Sequence, residues 1–291
     1  MRLALLVSAL AISCAAPSFA PALAQVAEGP SRTFQGRDLF GLRTAGDPQV
    51  RPDGGAIAYV RTTQDIMIDN GRPSIWLVDP ASGAQTPLVA DEAANFAPRW
   101  SPDGARLAYV AAGAGKPQLY VRWMAAGRSA KVATLEQSPN EIAWSPDGKT
   151  LVFTMLTLDE GKPLGAPLAK PEGAKWADPL KLIDQVTYRA DGAGYLKPGF
   201  RHLFAVSADG GQPRQLTFGR FDDAGPISFT PDGKSVLFAS NRNPNWERDP
   251  QESEIFSASL TDGTLTQLTH RVGPDQAPAA SPDGSKIAYV G

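Results

Sequence analysis

An all-β fold, a β-propeller of four-stranded blades, is predicted by three features of the sequence. A Pro-Asp-Gly turn occurs five times, with its prolines at Pro52, Pro102, Pro146, Pro231 and Pro282. Each turn is followed by a run such as Leu-Ala-Tyr-Val at 107–110, whose residue types suit a pleated, half-buried surface. Successive prolines are separated by 50, 44, 85 and 51 residues, and a period of about 40 to 50 residues is typical of propeller blades.

The Pro-Asp-Gly turn joins the first two strands of each predicted blade. In the second copy, Pro102 sets φ for the second position of a β-turn, Asp103 can bond to nearby backbone, and Gly104 accepts a positive φ. We therefore expect the five turn aspartates to be structural.

The second repeat predicts one complete blade. Its four strands are expected at 96–100, 106–110, 118–122 and 130–134, with turn residues between each pair. A single sheet of this size cannot bury both of its faces, so neighbouring blades must stack into one continuous domain. The tryptophans in or beside the strands are expected to pack in the core or between blades.

The 85-residue interval departs from this rhythm. It predicts one blade interrupted by an inserted loop at about 156–183, with strands resuming at 186–188. Insertions in propellers commonly emerge on one face, where function resides. The last repeat, 281–290, supplies only an opening hairpin. The repeats predict about four full blades and the start of a fifth over 25–291. Because an unclosed propeller would expose its sheet edges, we expect this propeller to be incomplete.

The first 24 residues have the pattern of a secretory signal peptide. A positive start at Arg2 precedes an apolar run, and the small-x-small sequence Ala-Leu-Ala at 22–24 suits cleavage before Gln25. This predicts a periplasmic or secreted protein. Lipidation at Cys14, the only cysteine, is the second choice. Cleavage of the signal peptide would remove Cys14 and leave a mature chain without a thiol. The stability of the mature chain must then come from packing.

The composition of the chain restricts the classes of partner that we expect it to bind. The chain is 42% hydrophobic and 20% charged with a net charge of −2, which indicates a globular protein and argues against nucleic acid held by a broad basic surface. No membrane span and no cofactor are expected. The adjacent carboxylates of Asp222 and Asp223 fall short of the six or more oxygens that a hard cation needs, so no metal is expected. Homo-oligomerisation stays open.

Longer stretches resemble a known family. The Ser-Pro-Asp-Gly repeats are shared by TolB-type propellers and by the propeller of the prolyl oligopeptidase family. The sequence Asp-Gln-Val-Thr-Tyr-Arg-Ala-Asp-Gly-Ala-Gly-Tyr at 184–195, continued by 201–206 and 211–217, resembles the acylaminoacyl-peptidase and dipeptidyl-peptidase members of that family. The segments 37–40 and 238–242 are similar to the same group, so the resemblance covers about Arg37 to the end.

The resemblance implies a propeller that caps a C-terminal α/β-hydrolase domain, whose Ser-Asp-His triad cleaves short peptides. This chain contains no Gly-x-Ser-x-Gly motif, and His202 and His270 have no serine motif around them. No catalytic residue is therefore assigned, and the hydrolase domain is absent from this chain. We expect the substrate-gating part of an exported serine peptidase, not catalytic by itself, which meets its short peptide substrate through that missing domain.

Two residues are candidates for contact with the substrate. Arg189 and Asp191 lie in the Tyr-Arg-Ala-Asp-Gly stretch and could face the cavity between propeller and hydrolase domain. The alternative is a salt-bridged or capped turn, because most charges of this kind are structural or solvated.

Two other functions compete with the peptidase interpretation. A periplasmic TolB-like propeller could act as a protein-binding module. A TolB-type protein is expected to carry a small α/β domain before its propeller, and only about 25 residues separate Gln25 from the first turn. A self-standing propeller enzyme with its site at the central channel has no residue cluster to support it.

Overall fold

The computed structural model describes residues 33–113, 115–159, 165, 168–177 and 182–291, so the predicted signal peptide lies outside the described residues. The chain divides into two compact units, Met1–Asp38 and Leu39–Gly291. All of the strands belong to the second unit. They form four sheets of four antiparallel strands, one hairpin that begins a fifth blade and one further small hairpin, which confirms the predicted fold class.

The strand bounds follow the repeats. Blade 1 consists of β1(Arg43–Val50), β2(Ile57–Asp65), β3(Asn70–Val78) and β4(Gln85–Val89). Blade 2 consists of β5(Ala94–Trp100), β6(Arg106–Ala112), β7(Gln118–Trp123) and β8(Arg128–Lys131). Blade 3 consists of β9(Pro139–Trp144), β10(Thr150–Leu158), β13(Gly199–Ser207) and β14(Arg214–Gln215), with a small hairpin of β11(Arg189–Ala190) and β12(Gly194–Tyr195) inserted in it. Blade 4 consists of β15(Asp223–Phe229), β16(Ser235–Ser240), β17(Glu254–Ser259) and β18(Leu265–Gln267), and blade 5 begins with β19(Gln276–Ala280) and β20(Ile287–Val290).

The insertion in blade 3 starts and ends later than the sequence predicts. Strand β10 continues to Leu158 because its last residues pair with the start of β13, Leu158 lying opposite Gly199. The connection therefore runs from 159 to 198 and not from 156 to 183. No strand forms at 186–188, where only the two-residue pairs of the small hairpin follow. In blade 2 the fourth strand likewise lies at 128–131 and not at 130–134.

Alternate residues of a strand face the two blades that lie on opposite sides of it. In β10, Phe153 belongs to the cluster that packs blade 3 on blade 2 and stacks on Phe204 at 5.9 Å between ring centroids. The preceding residue, Val152, belongs to the cluster that packs blade 3 on blade 4, beside Phe238. This period of two, with apolar residues on both faces, is what a blade buried between two others requires.

The Pro-Asp-Gly turns are closed by side-chain hydrogen bonds. In blade 2 the Ser101 hydroxyl donates to Asp103 at 2.5 Å, Asp103 accepts from the Ala105 N–H at 3.0 Å, and Gly104 has a φ of +67°. These bonds, above all the one from Ser101, hold the pKa of Asp103 below its usual value. The prediction that the turn aspartates are structural is confirmed.

Two tryptophans link neighbouring blades beside these turns. The Trp100 indole donates to the Gln49 carbonyl of blade 1 at 3.0 Å, and the Trp144 indole donates to the Arg99 carbonyl of blade 2 at 2.9 Å. The guanidinium of Arg106 lies 4.9 Å from the Trp144 ring centroid, which adds a cation–π contact. The predicted role of Trp100 and Trp144 in inter-blade packing is confirmed.

Each innermost strand carries one β-bulge. A residue with positive φ stands at this point in all five blades: Asp47, Ala97, Glu141, Gly225 and Ala277. In four of the five blades the next residue is proline, which cannot donate to the ladder and is tolerated at a bulge. Two of the five bulge residues, Asp47 and Glu141, are charged.

Candidate functional site

The two ends of the strands form two different faces. The five Pro-Asp-Gly turns and the turns between third and fourth strands lie on one side, called here the turn face: 51–56, 79–84, 101–105, 124–127, 145–149, 208–213, 230–234, 260–264 and 281–286. The connections between second and third strands, and those from one blade to the next, lie on the other side, called here the loop face. The two faces are distinct because the strands within each blade are antiparallel.

Exposed apolar side chains are concentrated on the loop face. The hairpin tip of blade 1 carries Ile66, Met67 and Ile68, of which Met67 is 86% exposed. Further exposed apolar residues lie in the insertion of blade 3 and in the connections that follow blades 3 and 4: Leu168, Trp176, Leu182, Ile183, Val186, Tyr188, Tyr195, Leu196, Phe218 and Val272. Among the described residues, none of the turn-face segments carries an exposed large apolar side chain. Three exposed apolar residues, Val50, Leu265 and Ile287, lie at strand ends next to the turn face. Exposed apolar surface that is concentrated on one face marks that face for interaction.

The two predicted contact residues lie on the small hairpin of the insertion. Arg189 pairs with Tyr195 across the two strands, and Asp191 follows in the turn. Both side chains are exposed. The hairpin is held by the Leu196 N–H, which donates to the Tyr188 carbonyl at 2.9 Å, and by the contact of Tyr188 with Tyr195 at 6.2 Å between ring centroids. The structure thus places Arg189 and Asp191 together at the surface of the insertion.

A cavity of about 380 Å³ opens on the loop face beside this insertion. It is lined by Thr187 of the insertion, by Asp222 and Gly225 of blade 4, by the connection between β16 and β17, and by Gln276 of blade 5. The connection contributes Asn241, Trp246, Glu247, Pro250 and Ser253. Sequence reasoning did not find Trp246 or Glu247, because only folding brings their loop together with Asp222 and Thr187.

A buried polar junction lies directly behind this cavity. Asp223 is fully buried, and its carboxylate accepts a hydrogen bond from Arg242 at 2.7 Å and another from the Thr217 hydroxyl. The Thr217 oxygen in turn accepts the Leu203 N–H at 2.9 Å. His202 is buried on β13 with its Nδ1 3.5 Å from Asp223. These contacts join blades 3 and 4.

The inner strands carry a row of charges across blades 1 to 3. The Arg99 guanidinium binds both oxygens of Asp47, at 2.9 and 2.8 Å. Glu141, at the bulge of β9, lies near this pair. Desolvation raises the pKa of Glu141 although its side chain reaches solvent, and the charge of Arg99 opposes that rise.

The adjacent aspartates that the sequence singles out have different surroundings. Asp223 is buried in the junction, whereas Asp222 is exposed and lines the cavity. Within the described residues no group of three or more His, Cys, Asp or Glu side chains could hold a metal ion. No helix in this part of the chain is long and apolar enough to span a membrane.

Two protein-family descriptions match the chain, one in its first half and one in its second. Residues 43–163 match the TolB beta propeller domain, and residues 176–290 match the dipeptidyl peptidase IV N-terminal region. Together the two matches cover the strands of all the blades and the small hairpin.

Two relatives are named as peptidases. A Bacillus subtilis protein named uncharacterized peptidase YuxL is 29% identical over 205 residues, which are 70% of this chain and 30% of the relative. Dipeptidyl-peptidase 5 of Porphyromonas endodontalis is 25% identical over 268 residues, which are 86% of this chain and 37% of that protein. The chain thus spans about a third of the length of these relatives.

Solved structures show the same fold. Pyrococcus horikoshii acylaminoacyl peptidase superposes with a TM-score of 0.63 at 18% identity, covering 86% of this chain and 35% of the peptidase. TolB from Acinetobacter baumannii superposes with a TM-score of 0.52 at 19% identity, covering 82% of this chain and 47% of TolB.

Proposed function

Because the chain carries a β-propeller of the type found in prolyl oligopeptidase-family peptidases, with TolB-like repeats, we propose that it is the substrate-gating portion of a serine peptidase. That peptidase cleaves short peptides, in the manner of acylaminoacyl- or dipeptidyl-peptidases. The propeller admits short or unfolded peptides and excludes folded proteins by size. It supplies no catalytic residue of its own, since the sequence has no Gly-x-Ser-x-Gly motif.

The observation that carries this proposal is the asymmetry between the two faces. The loop face holds the insertion, the exposed apolar side chains and the 380 Å³ cavity. A second domain seated there would bury apolar surface and enclose the cavity between the two domains. The turn face, with its short polar turns, offers a second domain little apolar surface to cover.

Arg189 and Asp191 are assigned a supporting role in this proposal. Both are exposed on the hairpin of the insertion, beside Thr187 of the cavity wall. From there they would contact a peptide held between the propeller and the catalytic domain. A charged pair on a surface hairpin orients a ligand by electrostatic steering more than by affinity.

Export to the periplasm or the medium belongs to the same proposal. It rests on the signal-peptide pattern of residues 1–24. The amino-terminal sequence of the protein isolated from its source cells would test it, with Gln25 as the expected first residue.

The second candidate is a TolB-like protein-binding module. It is favoured by the match of residues 43–163 to the TolB beta propeller domain. The two candidates differ in whether the native polypeptide that contains this propeller has an activated serine.

A fluorophosphonate probe distinguishes them, because it labels the activated serine of serine hydrolases. The native polypeptide is isolated from its source cells with an antibody to the propeller, treated with the probe and identified by mass spectrometry. We expect a labelled polypeptide that contains propeller peptides and releases product from a dipeptidyl or acyl-amino-acid substrate. An unlabelled polypeptide would contradict the peptidase proposal and leave the binding module.

A further inference from the structure

The 380 Å³ cavity on the loop face has a largely apolar wall that also contains two carboxylate side chains, Asp222 and Glu247. We propose that it binds the positively charged side chain of a peptide, an arginine guanidinium or a lysine ammonium group. As a subsite for substrate, this inference rests on the proposed function; as a binding site, it stands on the cavity alone.

Three polar side chains of the cavity wall already donate hydrogen bonds within the protein. The Ser240 hydroxyl donates to the Asp222 carbonyl at 2.9 Å, and the Ser253 hydroxyl donates to the Asp275 carbonyl at 3.1 Å. The Asn241 amide donates to the Asp249 carbonyl at 2.6 Å. A hydroxyl group has one hydrogen to donate and lone pairs that remain acceptors. The Ser240 and Ser253 oxygens therefore remain acceptors for a ligand that donates hydrogen bonds.

Two carboxylates supply negative charge to this wall. Asp222 is held in place because one of its carboxylate oxygens accepts the Arg201 N–H at 2.7 Å, while its own carbonyl accepts from Ser240. Its orientation is thus fixed before any ligand arrives. Glu247 lines the same cavity from the connection between β16 and β17. A cation between two carboxylates makes charge-assisted hydrogen bonds, which are stronger than neutral ones.

Trp246 adds an aromatic side chain to the cavity wall. Its ring stands edge-on to Phe200, at 5.7 Å between centroids and 80° between ring planes, which limits its rotation. Guanidinium groups stack on aromatic rings and ammonium groups also bind over them. The same loop face already shows this mode, since the Arg242 guanidinium lies 5.4 Å from the Phe221 ring centroid.

Three short probes test this site directly. Nα-acetyl-arginine amide carries the guanidinium, Nα-acetyl-citrulline amide is its neutral isostere, and glycine amide carries only an α-amine. Binding to the purified chain is measured by calorimetry and by chemical-shift titration of the Trp246 indole. We expect the arginine probe to bind at least about tenfold more tightly than the citrulline probe, and its affinity to fall as salt is raised.

Matched variants locate the binding. Asp222→Asn and Glu247→Gln keep the shape of each side chain and remove its charge, and each is expected to weaken binding of the arginine probe at least about fivefold. Glu92→Gln is the control, because Glu92 is an exposed acid in the connection between blades 1 and 2, outside the cavity. It should leave the affinity unchanged.

Three results would overturn the inference: equal affinities for the arginine and citrulline probes, tighter binding of glycine amide than of the arginine probe, or variants that bind like the parent chain. The comparison between probes needs no variant, so it stands even where a variant folds poorly. It is also independent of peptidase activity. A negative result here would leave the fluorophosphonate test of the proposed function unaffected.

Discussion

The turn face and the loop face are built by the same strands but stabilised by different chemistry. On the turn face, tight Pro-Asp-Gly turns satisfy their own polar groups, and Trp100 and Trp144 bond to the backbone of the preceding blade. On the loop face, blades 3 and 4 meet at the buried carboxylate of Asp223, next to an open cavity. The turn face therefore maintains the architecture, while the loop face combines a rigid polar junction with surface available to a partner.

The largest effect is expected at the junction of the loop face. Asp223→Ala removes the acceptor of Arg242 and of Thr217 and leaves both in a buried site. Breaking a buried ion pair by removing one partner costs about 3–5 kcal/mol. Urea denaturation should show this loss in the free energy of unfolding. The neighbouring Asp222→Ala is the control, with a loss of about 1 kcal/mol or less, because Asp222 is exposed. Equal losses for the two variants would contradict the assigned role of Asp223.

A smaller loss is expected at the inter-blade tryptophans of the turn face. Trp144→Phe keeps an aromatic ring but loses the indole hydrogen bond to the Arg99 carbonyl and weakens the contact with Arg106. The loss should be about 1–2 kcal/mol by urea denaturation. Trp176→Phe, at a half-exposed position of the insertion, should change the unfolding free energy by less than about 0.5 kcal/mol. A loss at Trp176 as large as that at Trp144 would remove the distinction between the faces.

The turn face should also lose stability in acid. Hydrogen bonds from Ser281, and then from Ser285, lower the pKa of Asp283 to about 2, and the other Pro-Asp-Gly aspartates are shifted in the same direction. A carboxyl group whose pKa is lower in the folded state stabilises the fold above its unfolded pKa of about 3.9. That contribution is lost as the pH falls from about 4 towards 2. An NMR titration of Asp283 checks the window, and Ser281→Ala should move its pKa upwards. An unchanged pKa in Ser281→Ala would refute the cause.

Glu141 should respond to pH in the opposite direction. Desolvation raises its pKa, so its ionisation in the folded state destabilises the protein as the pH rises through that raised value. Glu141→Gln removes this ionisation and should make the protein slightly more stable at pH 7, with less change between pH 4 and 7. The measurement is the urea midpoint at both pH values. A variant less stable than the parent at pH 7 would show that Arg99 favours the charged form more than desolvation disfavours it.

How much the sequence predicts depends on how local each signal is. The turn at Ser101 and Asp103 is visible because five consecutive residues determine it, and the period of the repeats then predicts the blades. The end of β10 cannot be predicted from the local sequence, because Leu158 continues the strand only through its pairing with Gly199. The cavity is not visible either, since Thr187, Asp222 and Glu247 come from three separate segments. One available signal was missed: a proline follows the bulge residue in four of five inner strands.

The smallest effect on stability is expected at the exposed hairpin tip of blade 1. Ile66 and Met67 are 63% and 86% exposed on the loop face, so replacing both with serine removes little buried area. The unfolding free energy should change by less than about 0.5 kcal/mol.

If the loop face is the docking face, the same double variant should weaken association with the catalytic domain or with a second copy of the chain, measured by analytical ultracentrifugation, because exposed apolar surface drives such contacts. Serine at Ala81 and Ala125, in two turns of the opposite face, is the control for the number of substitutions. A double variant at the tip that unfolds much more easily would show that Ile66 and Met67 stabilise the blade. An association unchanged from that of the parent chain would show that the apolar tip takes no part in docking.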